Sequence, residues 1–163
     1  MKTLITSFRS LLVMTVLTGV LYPLLITAIA KIFFAEKAQG SLIQNSQRII
    51  IGSELIAQGF KNQKYFWPRP SGIDYNPMPS GGTNLGPTSQ DLLSKVNERK
   101  AQGMTNDLLF ASGSGLDPHI SPRAAYSQTA RVAKARGMSE ADIHDMVTKY
   151  IEGRQLGFLG EER

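Results

Sequence analysis

From residue 10 to residue 30 the chain runs through 21 positions without a charge, nearly all apolar. At about 1.5 Å per helical residue this run reaches roughly 30 Å, the thickness of a bilayer's hydrocarbon core. A single strand of backbone crosses that layer only as a helix, which satisfies its own N–H and C=O groups. Beyond residue 34 the pattern shortens. Residues 48–57 (RIIIGSELIA) are β-branched and predict a strand interrupted at Gly52. Residues 65–87 hold five of the eight prolines and four glycines, a density no regular element survives. Three helices follow. Thr88 and Asp91 match a T-x-x-D start, with Leu92, Leu93 and Val96 on one face and Gly103 as the stop. Ser121-Pro122 is an N-cap followed by proline at the first helical position, and that helix runs to Arg136 with Gly137 as its left-handed end. Ser139 and Asp142 repeat the capping pattern ahead of Ile143, Met146, Val147, Tyr150 and Ile151, at i, i+3, i+4, i+7 and i+8. Residues 107–112 (DLLFAS) read as a buried strand and residues 155–159 as a last one. The expected architecture is one N-terminal transmembrane α-helix plus a small mixed α/β (α+β) soluble domain. Its parts are a basic segment 1–9, a span 10–34 and a soluble domain 35–163.

Charge sharpens this division. The net charge of +5 separates into +3 from Lys2, Arg9 and Lys31 before residue 35, and +2 from 15 bases and 13 acids after it. A nearly balanced soluble domain lacks the electrostatic footprint of a nucleic-acid binder. With no cysteine, disulfides, thiol catalysis and iron–sulfur ligation are excluded. A cleaved signal peptide is the competing reading of the apolar run, since Ala28-Ile29-Ala30 fits an A-x-A exit. The run is too long for it, however, and continues past Lys31 into Ile32-Phe33-Phe34, as an interfacial anchor would. A buried soluble helix ranks last. Positive charges flank both ends, so orientation is weakly specified; the expectation is N-terminus inside and soluble domain outside.

Within the span, Thr15, Gly19, Pro23 and Thr27 recur every four residues. Small residues on one face let a second helix approach closely, although Gly, Thr and Pro are also ordinary in membrane helices. Pro23 has no N–H and its ring crowds the Gly19 carbonyl, which predicts a kink.

The search for chemistry yields weak signals. Ser112-Gly113-Ser114-Gly115 sits where a phosphate loop would, but there is no Gly-Lys pair and the G-x-G-x-x-G spacing fails, so turn chemistry is the better reading. Asp117, His119 and Ser121 bring three catalytic residue types within five positions, yet triads assemble in space and not in sequence. Ser121 reads as a helix cap, Asp117 as a loop residue and His119 as structural. A hydrolase using Asp117, His119 and a serine, and a nucleotide-binding module at 112–115, are the alternatives. His144 has neither cysteine nor an H-E-x-x-H context, which argues against zinc. Arg123, Arg131 and Lys134 share one broad face of the second helix, suited to a solvated surface, anionic lipid or an acidic partner. Tyr65, Phe66, Trp67 and Tyr75 mark 65–87 as an ordered loop and not a linker, tucked on the core or used in binding.

An ordered set of segments carries a family resemblance. Residues 18–25 (TGVLYPLL), 40–43 (GSLI), 65–71 (YFWPRPS), 75–86 (YNPMPSGGTNLG), 111–122 (ASGSGLDPHISP) and 131–137 (RVAKARG) resemble the C subunit of the Kdp potassium-transporting ATPases. The resemblance implies a single-pass, non-catalytic subunit of a bacterial inner-membrane complex that imports K⁺ using ATP, with its soluble domain periplasmic. It implies two partners, a potassium-channel-like A subunit and a P-type ATPase B subunit, besides membrane lipid. It further implies that the chain assembles the complex and raises the B subunit's ATP affinity, with ATP and K⁺ handled by the whole complex and no cofactor or metal of its own. On that reading Thr15, Gly19, Pro23 and Thr27 pack against other helices, and Trp67, Arg69, Ser114, Asp117, His119, Arg123 and Arg131 are candidates for subunit contact. The chain has neither D-K-T-G nor T-V-G-Y-G, the phosphorylation and selectivity sequences of the other subunits. Ala130 stands where the family usually has proline, which softens a local bend. The family also usually continues past its closing Leu-Gly with an apolar segment, whereas this chain closes on Glu161-Glu162-Arg163, leaving open whether the sheet is complete.

Overall fold

The computed structural model describes all 163 residues, and the chain divides into two compact units, Met1–Ser53 and Glu54–Arg163. In the first unit a continuous helical rod runs through Lys2–Phe33 with its apolar side chains exposed. It comprises α1 (Lys2–Val16), a π-helical turn (Leu17–Leu21) and α2 (Tyr22–Phe33). The wide turn answers the expected kink. The ring of Pro23 crowds the carbonyl of Gly19, and one turn of looser hydrogen bonding, in which Tyr22 N–H donates to Leu17 O, makes room for it. The hydroxyls of Thr18 and Thr27 donate to Met14 O and Pro23 O, both at 2.7 Å, so neither carries an unmet donor into an apolar layer.

After a short helix α3 (Ala35–Ala38) comes a hairpin of β1 (Leu42–Gln44) and β2 (Ile50–Ser53). The two strands are antiparallel, with Ile43 opposite Gly52 and a bulge beyond Ile43. Gly52 therefore lies inside the predicted strand and does not interrupt it, and β1 is an element the sequence pattern did not reveal. Asn45 shapes the turn: its Oδ1 accepts from the N–H of Gln47 and of Ile49, both at 2.9 Å.

In the second unit α4 (Gln90–Ala101) is capped by Ser89, whose Oγ accepts from Leu92 N–H, so the start lies one residue after the expected Thr88. Residues 107–112 are not a strand. Asn106–Leu109 forms a 3-10 turn that aims the Asp107 carboxylate at Ser121, where Oδ2 accepts from the backbone N–H at 2.9 Å and Oδ1 from the hydroxyl. Ser121 caps α5 (Pro122–Tyr126) as expected, but the helix breaks at Ser127 and Gln128 before resuming as α6 (Thr129–Arg136). Ser127 Oγ and Thr129 Oγ1 donate to Ala124 O and Tyr126 O across the break. The break precedes Ala130 and needs no proline there. Gly137, at φ +68°, ends α6, and Ser139 caps α7 (Glu140–Tyr150). The core is Val132 and Ala133 of α6 against Ile143 of α7, with Phe66 of the irregular segment packed on them. Residues 155–159 close a tight turn through a single bridge, Gln155 to Leu159, and no strand forms.

The 112–115 loop is a packed turn. Ser112 N–H donates to Pro70 O, and Gly81 N–H to Ser114 O, which ties the turn to both ends of the irregular segment. Gly115 lies at φ +72°, where a Cβ would come within 2.6 Å of Ile73 Cγ1 and 2.7 Å of Gly81 O. The carbonyl cannot yield, so Gly115→Ala combines left-handed backbone strain with overpacking. The expected loss is about 2–4 kcal/mol. A thermal melt of the full chain in mild detergent, followed by the fluorescence of Trp67, measures it; an unchanged midpoint would contradict this packing.

Candidate subunit-contact site

Residues 63–69 have no repeating hydrogen bonds of their own, so they need partners from elsewhere. The break between α5 and α6 supplies them. Gln128 Oε1 accepts from Trp67 N–H at 2.8 Å, and its Nε2 donates to Trp67 O at 3.2 Å, a two-way pairing of side chain with backbone. A further bond from Nε2 to Ala124 O completes the buried amide. Arg131 lies over the Trp67 ring, its guanidinium carbon 3.7 Å from the ring centre. It donates to Gln63 O at 2.7 Å, to Tyr65 O at 3.2 Å and to Gln128 Oε1 at 2.6 Å. Arg136 adds a bond to Lys64 O at 2.7 Å. Burial lowers the Arg131 pKa from its ordinary value, and the planar guanidinium remains matched to stacking and forked donation. Arg131 and Trp67, both expected at a subunit contact, are therefore brought together and hold this unit's own loop in place. Gln128 escaped the sequence reading, and Arg136 entered it only as one of the basic residues of the second helix.

Arg69, Asp117 and His119 form the second group. Arg69 Nη1 meets Asp117 Oδ2 at 3.4 Å. Asp117 Oδ1 accepts from His119 N–H at 3.0 Å, with His119 Nδ1 3.4 Å away. Arg69 Nε is buried without a hydrogen-bond partner. Arg69 O accepts from the Tyr75 hydroxyl at 3.0 Å, and burial foremost raises the Tyr75 pKa. The hydroxyl of Ser121 donates to Asp107 and not to His119, while Ser114 Oγ pairs with Ser112 Oγ and accepts from Leu116 N–H. No serine–imidazole bond joins a relay of the kind hydrolases use. The amides of Gly115 and Leu116 bond to Ser112 and Ser114, so the turn offers neither of these two N–H groups to a phosphate.

Two concavities share a wall made of His119, Ile120 and Arg163. One, of about 470 Å³, is apolar and lined by Phe66, Ile143, Met146 and Tyr150 among others. The other, of about 310 Å³, is lined by charged groups including Arg69, Asp117, Glu161 and Arg163. Tyr150, at 81% exposure, stands at the edge of the apolar cleft. Arg123 is exposed.

These features define a chain with one helix long and apolar enough to cross a bilayer, followed by a two-stranded hairpin and a set of short helices whose polar side chains brace the loops between them. The chain belongs to the K⁺-transporting ATPase c chain (KdpC) family, whose model matches residues 4–163. It is 47% identical over 174 aligned positions to the potassium-transporting ATPase KdpC subunit of Geotalea uraniireducens, covering 100% of this chain and 92% of that protein. The corresponding subunit of Geobacter sulfurreducens is 46% identical with the same coverage. That of Sorangium cellulosum is 48% identical over 164 positions, covering 93% of this chain and 86% of the relative.

Replacing Arg131 tests the clamp. Arg131→Ala removes several bonds from a charged donor and one stacked ring, an expected loss of about 2–3 kcal/mol. It also shifts the emission of Trp67 to the red as water reaches the indole. Arg131→Lys keeps the charge without the fork and recovers less than half of the loss. Full recovery by lysine would mean that charge alone holds the loop.

Proposed function

We propose that this chain is a non-catalytic accessory subunit of an ATP-driven potassium importer in the bacterial inner membrane. Its span packs beside a potassium-pathway A subunit and a P-type B subunit, and its head lies on the outer side. The observation that carries this reading is the pairing of a family match over residues 4–163 with a rod whose apolar side chains have no cover of their own. On this reading the phosphorylated chain is the B subunit, and the lack of a D-K-T-G sequence here supports it. A head outside the membrane does not meet cytoplasmic ATP, so its effect on ATP affinity passes through the helices as a coupling free energy. Couplings of this kind are about 1–3 kcal/mol, or roughly 5- to 150-fold in affinity.

The face of Thr15, Gly19, Pro23 and Thr27 is the proposed seam with the neighbouring helices. The structure leaves it open: a Cβ on Gly19 would meet nothing nearer than Thr15 Cγ2 at 4.0 Å. Gly19→Leu fills that space without disturbing the rod itself. The expected result is loss of the A and B subunits on purification from native membrane, with an ATP KM raised roughly fivefold or more in whatever complex remains. Unchanged co-purification and unchanged KM would remove this face from the assembly. A photoreactive ATP analogue that labels this chain in the intact complex would overturn the indirect route.

A further inference from the structure

The hairpin that follows the rod leaves apolar side chains uncovered. Leu42 and Ile43 are 40% and 41% exposed, and Ile49 and Ile50 are 55% and 57% exposed. Neighbouring residues of a strand point to opposite faces, so Leu42 and Ile43 present apolar groups on both sides of the ribbon. An isolated two-stranded hairpin is at best marginal in water, so this one requires cover. Three observations indicate what covers it. The hairpin lies in the same compact unit as the rod, Met1–Ser53. Residues 34–41 join it to the rod, and with four of them in α3 they reach at most about 20 Å. Between residues 31 and 53 the charged residues are Lys31, Lys37 and Arg48 against Glu36, a net positive stretch beside a membrane-length helix.

We propose that the hairpin rests in the headgroup layer of the bilayer, with its isoleucines against the outer acyl region and Lys37 and Arg48 on anionic phosphates. A flat protein surface covers one face of a ribbon, whereas the headgroup layer surrounds both. Only helices and closed barrels are stable across the hydrocarbon, so a two-stranded ribbon belongs in the hydrated layer. Apolar side chains flanked by bases are the combination that binds there. The role rests on the rod crossing the bilayer, and the test separates the two.

The chain has no cysteine, so single-cysteine variants label cleanly. Gln44→Cys places an environment-sensitive fluorophore on the hairpin without touching an isoleucine. Leu12→Cys places one in the rod, and Ser80→Cys one on the exposed loop of the second unit. The full chain is reconstituted in phosphatidylcholine vesicles with and without phosphatidylglycerol, carrying nitroxide lipids labelled near the headgroup or deep in the acyl chain. The expected result is at least threefold stronger headgroup quenching at position 44 than at position 80, with position 12 quenched by the deep label. Adding Ile43→Ser and Ile50→Ser reduces quenching at position 44 to that of position 80. Lys37→Gln with Arg48→Gln removes the extra quenching that phosphatidylglycerol gives. Equal quenching at 44 and 80, with position 12 still quenched, overturns the hairpin's role and leaves the span intact. An unquenched position 12 overturns both. Quenching at 44 that disappears when the labelled chain is purified within its complex assigns the cover to a protein neighbour and also overturns the proposal.

Discussion

The second unit depends on one contact more than any other, the seating of Trp67 between Gln128 and Arg131. Residues 54–89 contain no helix or extended strand, so their backbone groups have no ladder to join. Gln128 supplies a donor and an acceptor to one residue's backbone, and Arg131 covers the adjoining ring while gathering two more carbonyls. With Trp67 fixed, Phe66 is aimed at Val132, Ala133 and Ile143. On the far side of Trp67, Arg69 is held to Asp117, and through it the His119 backbone is set. A short helix pair thus organises a much longer irregular segment, and the break between α5 and α6 is what frees the Gln128 amide to do it.

The first unit is built on the opposite principle. Its rod meets its backbone needs internally, and its side chains wait for lipid or neighbouring helices to cover them. Arg69, Arg131 and Arg136 turn to side chains and carbonyls of their own unit, while the rod keeps its apolar groups outward.

What could be read from the chain beforehand was decided over short distances. The span, the caps at Ser121 and Ser139, the left-handed Gly137 and the turn character of residues 112–115 each depend on neighbours within a few positions. The failures depended on partners far along the chain. Residues 107–112 have the composition of a strand, but Asp107 is captured by Ser121, fourteen residues away, and that bond suits a tight turn. The α5–α6 break gave no local warning, since Gln128 answers to Trp67 at a separation of 61 residues. At Thr88 and Ser89 two capping residues stood side by side, and pattern matching favoured the one with an acid three positions on. Among the site residues, Trp67 and Arg131 were named separately as candidates for subunit contact, and sequence could not say that, 64 positions apart, they would stack on each other.

The wide turn at Leu17–Leu21 also alters how the rod presents itself to a neighbour. Steps of four residues overrun an ordinary 3.6-residue turn by about 40°, so three such steps would wind Thr15, Gly19, Pro23 and Thr27 about 120° around a plain α-helix. A turn that accommodates more residues unwinds part of that spiral. The proline that forces the irregularity therefore straightens the column of small side chains through which a second rod could lie flush.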